Sequence, residues 1–246
     1  MRLSLIIFLI SFLFSSDAYE IAKSISTREA PLDTKATLTM TLIDKKGNER
    51  VSKIRSYTKD SGNKQIMWFL SPPSDRGVSV YKIERKDAKD EMKMWLPAFK
   101  RVRKISSSKN SESFMNSDLT FEDLYSRELN EYSYEVVADE TSEHYILTSY
   151  PEPELKSNYS KHISWVNKIS MLVTKEESYS KSGRLIKIKE FNYSKIQNFD
   201  IITRIKVVDV KSNHQTILIF NDMELNAGIN DNQFHESNLK RIPRNK

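Results

Sequence analysis

The chain has 246 residues, no cysteine and a formal net charge of +6. The missing cysteine excludes disulfides, thiol nucleophiles, cysteine-bound metals and the acylated cysteine of a bacterial lipoprotein. A chain of this length suits one large β domain or two small ones.

Met1 and Arg2 make a positive start, residues 3–14 are apolar apart from Ser4 and Ser11, and Ser16 and Ala18 are small residues three and one positions before a cut after Ala18. This is the layout of a secretory signal peptide, and the apolar stretch is shorter than the ~20 residues that span a bilayer. The expectation is a leader at residues 1–18 and a single exported domain at residues 19–246, periplasmic and, lacking cysteine, not a lipoprotein.

Residues 20–27 predict a short helix stopped before Pro31. Residues 37–42 alternate strictly, which puts Leu38, Met40 and Leu42 on one face. Residues 44–48 carry hairpin-turn chemistry around Gly47. Strands are then expected at residues 51–58, 65–70, 78–84, 92–96, 101–105, 132–138 and 144–150. Residues 106–116 read as a polar loop, and Thr120 with Asp123 forms a capping-box pattern that predicts a short helix. Four long strands follow at residues 169–179, 185–193, 201–210 and 216–225, with a terminal helix at 234–239. Short turns without interleaved helices predict a mainly β (α+β) fold with an antiparallel sheet that curls. A strongly curved sheet must close or be covered by a plug.

Catalytic and cofactor patterns are missing. The five glycines are Gly47, Gly62, Gly77, Gly183 and Gly228, too dispersed for a phosphate-binding loop or a dinucleotide fingerprint. The four histidines, His144, His162, His214 and His235, show no metal-ligand spacing. Asp118, Glu122 and Asp123 form the best carboxylate cluster; acid–base work is one use, and charge at a helix N-terminus is the plainer one. No catalytic residue, metal or cofactor is expected.

Residues 82–109 hold ten cations and four anions, an excess equal to that of the whole chain at +6. The basicity is therefore local and points to a surface role. Trp95, Phe99 and Phe114 nearby would suit stacking on bases, but an exported chain does not ordinarily meet nucleic acid. Anionic lipid headgroups or a membrane partner fit better.

The stretch Trp95-Leu96-Pro97-Ala98, then Arg101-Val102-Arg103, Ile105-Ser106, Ser113-Phe114-Met115, Ser117-Asp118 and Phe121-Glu122-Asp123-Leu124, resembles the LolA-like family of bacterial outer-membrane lipoprotein-sorting proteins. Asn116 stands where that family's motif has glycine, and Lys104 where it has a second arginine. The resemblance implies an unclosed β-barrel curled round short plug helices, with an apolar cavity for acyl chains. It also implies a periplasmic carrier or binding protein for lipid or lipoprotein acyl chains, acting in lipoprotein sorting or lipid transport. Members are often encoded beside exporters of the resistance-nodulation-division type, so an adaptor for such an inner-membrane exporter is the alternative, and that transporter the alternative partner.

Alternation nominates Leu38, Met40, Met92, Met94, Leu96, Ile186, Ile188, Ile205, Ile217 and Ile219 as cavity lining, with methionine suited to irregular ligands. Phe114 and Met115, apolar residues in a serine-rich loop, are expected to form a lid or docking loop. Lys100, Arg101, Arg103 and Lys104 are expected to make a basic rim in transient contact with a membrane surface.

Overall fold

The computed structural model describes residues 17–85, 88–138 and 142–243. Most of the expected leader, residues 1–16, lies outside them. Residues 17–26 form one α-helix, α1. The rest is dominated by thirteen strands: β1 (Asp33–Ile43), β2 (Glu49–Lys59), β3 (Lys64–Ser71), β4 (Ser79–Ile83), β5 (Glu91–Leu96), β6 (Arg101–Ile105), β7 (Tyr132–Ala138), β8 (His144–Pro151), β9 (Tyr159–Asn167), β10 (Val173–Ser180), β11 (Leu185–Ile196), β12 (Phe199–Asp209) and β13 (His214–Leu225).

The sheet order is β6-β5-β4-β3-β2-β1-β13-β12-β11-β10-β9-β8-β7. Every neighbour in that order is also a sequence neighbour except β1 and β13, which pair antiparallel with Leu38 opposite Phe220 and Met40 opposite Leu218. Among the described residues the chain thus makes two meanders whose outer strands, β6 and β7, are the edges of the sheet. The sheet is antiparallel and not closed.

Two compact units are distinguished within the chain. Unit 2 comprises residues 30–126, 192–207 and 212–246. Its β3 contains the unbroken run Ile66, Met67, Trp68 and Phe69, all buried, because both faces of this strand are covered. On one face, Met67 and Phe69 join a core with Leu38, Met40, Leu42, Met92 and Met94. On the other, Ile66, Trp68 and Tyr81 pack against Ile229, Phe234 and Leu239. The second packing is pinned by polar contacts: Trp68 Nε1 donates to Asn238 O at 3.0 Å and Ser79 Oγ to Leu239 O at 2.6 Å.

Two expected helices are instead short 3-10 turns. Thr120 donates from its amide and hydroxyl to Asp123 Oδ2, each at 2.8 Å, so the capping contact forms. The turn covers only Glu122–Leu124, however, and Tyr125 is already extended. At the C-terminus the turns Asp231–Phe234 and Glu236–Lys240 are separated by extended His235, whose side chain accepts from the Ser237 amide and caps the second turn.

Unit 1 comprises residues 1–29, 127–191 and 208–211. Ala18 and Ala22 of α1 pack with Leu147 and Val166. Small side chains let the helix sit close to the strands. The sequence reading has no strand at β9 and starts β10 four residues early. Residues 168–171 are a turn with Ile169 96% exposed. The reason is chemical. The inward positions of β9, β10 and β11 hold His162, Ser164, Glu176, Ser178, Lys187 and Lys189, all buried. Cross-strand register aligns Ser164 with Glu176 and Glu176 with Lys189, and beside them His162 with Ser178 and Ser178 with Lys187.

Glu176 is the hub of this ladder. Arg127 Nη1 and Nη2 donate to its two oxygens at 2.6 and 2.9 Å, and Lys189 Nζ donates at 3.1 Å. Burial alone would raise its pKa; the Arg127 and Lys189 charges outweigh that and hold it well below the usual carboxylate value. His162 Nδ1 lies 3.2 Å from Arg127 Nη2 and 2.9 Å from Ser178 Oγ. A guanidinium has only donors, so this ring nitrogen accepts. Lys187 Nζ donates to Tyr159 OH at 2.8 Å.

Candidate functional site

The largest apolar assembly lies in unit 2. Alternation in β1 and β5 turns Leu38, Met40, Leu42, Met92 and Met94 to the same core, where Ile105, Val207 and Leu218 meet them and Leu96 and Ile205 pack at the margin. Six of the ten residues nominated as lining are therefore together: Leu38, Met40, Met92, Met94, Leu96 and Ile205.

The other four are not on that face. In β13 the buried residues are Thr216, Leu218 and, at the strand's end, Leu225, while Ile217 is half-buried and Ile219 is 40% exposed. Register sets Ile217 opposite Thr41 and Ile219 opposite Thr39, on the side away from Leu38 and Met40. The run Thr216-Ile217-Leu218-Ile219-Phe220 is apolar at both parities, so alternation alone could not choose. In β11 the inward positions are Lys187 and Lys189, which leaves Ile186 and Ile188 on the opposite side of that strand. The sequence reading assumed that the apolar residues face inward; the Glu176 hub reverses that.

Residues 106–126 cover the apolar face. Phe114 is 3% exposed, and its ring lies 6.1 Å from Phe69 and 6.0 Å from Phe121, the latter edge-on. Leu119 and Phe121 are also buried in this core, with Met115 packed at its edge. Phe114 and Met115 are thus anchored inward rather than displayed at an open tip. The reversal is local: Met115 and Asn116 adopt left-handed φ of 51° and 61°. Asparagine tolerates this conformation better than most residues, so it can stand where a glycine is otherwise suited. Ser113 Oγ donates to Ser117 O and Ser117 Oγ to Phe114 O, both at 2.6 Å, closing the loop on itself.

Polar tethers hold this segment. Arg103 and Lys109 both reach Glu112, at 2.7 and 2.5 Å. At the far end the buried pair Lys82 and Glu84 binds Leu124 O through Lys82 Nζ at 2.8 Å and the Ser126 amide through Glu84 at 3.0 Å. Between them Asp118, its side chain 6% exposed, receives the Thr216 hydroxyl at 2.6 Å and His214 Nδ1 at 2.8 Å. The Asp118 amide donates back to Thr216 Oγ1 at 2.8 Å. Of the carboxylates considered for chemistry, Asp118 is therefore a tether and Asp123 a turn cap. Asp118→Ala leaves Thr216 buried without its acceptor; an unmet buried hydroxyl costs about 1–3 kcal/mol. Chemical denaturation of this variant should read a loss in that range, with circular dichroism of the strands unchanged.

The basic rim divides by its partners. Lys100, Arg101 and Lys104 are exposed, whereas Arg103 is half-buried and tied to Glu112. A separate cleft of about 500 Å³ is lined by Tyr81, Arg85, Glu91, Lys93, His235, Glu236, Ser237 and Lys240. Its charges largely satisfy one another: Arg85 meets Glu91 at 3.0 Å and Lys93 bridges Glu91 and Glu236. Hydrogen bonds donated to Glu236 and Glu91 push the Lys93 ammonium up to about 12. Among the described residues, no group of three or more histidines and carboxylates is placed to hold a metal ion. No helix among them is long and apolar enough to cross a membrane.

Solved structures share this architecture. An outer-membrane lipoprotein-sorting protein domain from Vibrio parahaemolyticus is 26% identical with a TM-score of 0.85, covering 92% of this chain and 100% of that one. A DUF1329 family protein from Desulfovibrio piger is 25% identical with a TM-score of 0.85, covering 92% and 99%. A LolA superfamily protein from Nitrosomonas europaea, 20% identical with a TM-score of 0.71 over 92% and 99%, shares the fold. No curated protein gives a significant sequence match. A family model described as "Uncharacterized protein" matches residues 61–241, well over half of the chain. Taken with the structural neighbours, this match shows that the chain belongs to the LolA-like family of outer-membrane lipoprotein-sorting proteins.

Proposed function

We propose that this protein is a periplasmic carrier or binding protein for the acyl chains of lipids or lipoproteins, built as one LolA-like domain behind a leader at residues 1–18. The observation that carries the reading is the methionine-rich apolar face of unit 2, covered by a segment that polar tethers, rather than a continuous strand or helix, hold in place. No catalytic role is assigned to Asp118, Glu122 or Asp123.

Magnitudes favour exchange of that cover for a ligand. Withdrawing Phe114, Leu119 and Phe121 exposes side chains worth roughly 1.5–3 kcal/mol each. Breaking the Asp118 tether adds about 1–3 kcal/mol. An acyl chain gains about 0.8 kcal/mol per buried CH₂, or roughly 10 kcal/mol for a long one. The terms are comparable, so loading and release are both accessible. Met40, Met92 and Met94 supply a surface that adapts to either occupant. The exposed cations of the basic rim, Lys100, Arg101 and Lys104, belong to the same reading as the part that meets a membrane surface, while Arg103 is held by Glu112.

A fluorescent fatty acid tests this. The wild-type protein should take up the probe in competition with unlabelled fatty acid, and Asp118→Ala should take it up faster because the cover is less firmly held. Failure of both proteins to bind the probe would sink the carrier reading.

A further inference from the structure

The turn that joins β5 to β6, Pro97–Phe99, exposes Phe99 to 67% of its surface, while Phe114 and Phe121 are each 3% exposed. Isolated surface aromatics are common and carry no meaning alone. This one is surrounded by cations. Arg101 lies over its ring at 5.4 Å, and Lys100, in a left-handed conformation with φ 47°, stands beside it. A second turn is seated against the same place: a Cβ on Gly77 would lie 3.2 Å from Pro97 Cγ. Arg76, next in the chain to Gly77, is exposed.

The local charge is uncompensated. Among the described residues Arg76, Lys100, Arg101 and Lys104 form no ion pair, whereas Arg103 and Lys109 share Glu112. The carboxylate nearest in sequence to Arg76, Asp75, is taken by Arg50 at 2.6 Å. One end of the β5–β6 hairpin therefore presents an exposed aromatic ring beside Lys100 and Arg101, which form no ion pair among the described residues. That combination suits the boundary between headgroups and acyl chains, where an aromatic ring enters the apolar layer and cations remain at the phosphates.

We propose that this tip docks the protein on an anionic phospholipid bilayer, with Phe99 entering the acyl boundary and Arg76, Lys100 and Arg101 meeting phosphate. The proposal rests on the exported location in the reading above and not on the cargo. It assigns membrane contact to Phe99 and the unpaired cations, and leaves Arg103 to the Glu112 tether.

The absence of cysteine makes the test clean. Phe99→Cys carries a single environment-sensitive fluorophore, and Lys89→Cys, at the opposite end of β5, is the control. With vesicles of phosphatidylethanolamine and phosphatidylglycerol, emission from position 99 should rise several-fold and shift to the blue, and emission from position 89 should not. Phosphatidylcholine vesicles should leave both unchanged. Each surface cation contributes about fivefold in affinity, so Lys100→Glu with Arg101→Glu should weaken binding by about 25-fold or more. An unchanged spectrum at position 99 with anionic vesicles, or an equal response to phosphatidylcholine, would overturn the proposal. Uptake of free fluorescent fatty acid reads the carrier proposal separately, and the charge-reversed variant should retain it.

Discussion

Glu176→Ala should lower the stability of the protein by about 3–5 kcal/mol, the usual cost of removing one partner from a buried ion pair. Its carboxylate is the shared acceptor of Arg127 and Lys189, and the Lys189 side chain is only 7% exposed. Removing the anion takes away the acceptor that Arg127 and Lys189 share, at a place where the Lys189 end is buried. The loss measured by denaturant titration should be far smaller for a triple change of Arg127, Glu176 and Lys189 to methionine. Replacing a complete buried network by packed apolar groups is often neutral or stabilising by about 1–4 kcal/mol. If Glu176→Ala is as stable as wild type, the ladder is not a structural hub. The pH dependence follows from the direction of the shift. The folded pKa of Glu176 lies well below the reference value of 4.5. A depressed carboxylate stabilises above the unfolded value and loses that contribution as pH falls through the folded one. Stability should therefore decline as acidity increases below about 4.5, and Glu176→Gln should remove that part of the decline.

Phe114→Ala should cost about 3–5 kcal/mol, the range for deleting a buried aromatic ring. The ring sits between Phe69 and Phe121 at 6.1 and 6.0 Å. Stability alone would not separate a cover from an ordinary core residue. The second readout does: with part of the apolar face vacated, the variant should bind a fluorescent fatty acid more tightly than wild type. A loss of stability with no gain in uptake would mark Phe114 as core and no more.

Where local pattern and burial coincide, the sequence was readable. β1 alternates because one of its faces is buried, and Leu38, Met40 and Leu42 all lie on it. The hairpin turn at Gly47 and the β5 and β6 strands are local in the same way. β9 escaped notice because its inward positions are His162 and Ser164, whose burial is made tolerable by Glu176, Ser178 and Arg127 from other segments. The parity of β13 depends on Thr216, which is fully buried since its hydroxyl is held by Asp118, 98 residues away. No window along the strand carries that information. Asp118 itself stood out as a carboxylate near a turn. Its role became legible only when His214 and Thr216 were brought to it.

Native mass spectrometry of the protein purified from its own cells tests the central claim most directly. The account predicts a defined additional mass that lipid extraction resolves into a lipid or an acylated peptide. A clean unliganded mass, together with no uptake of a fluorescent fatty acid by either wild type or Phe114→Ala, would contradict it and reduce the methionine-rich face to ordinary core.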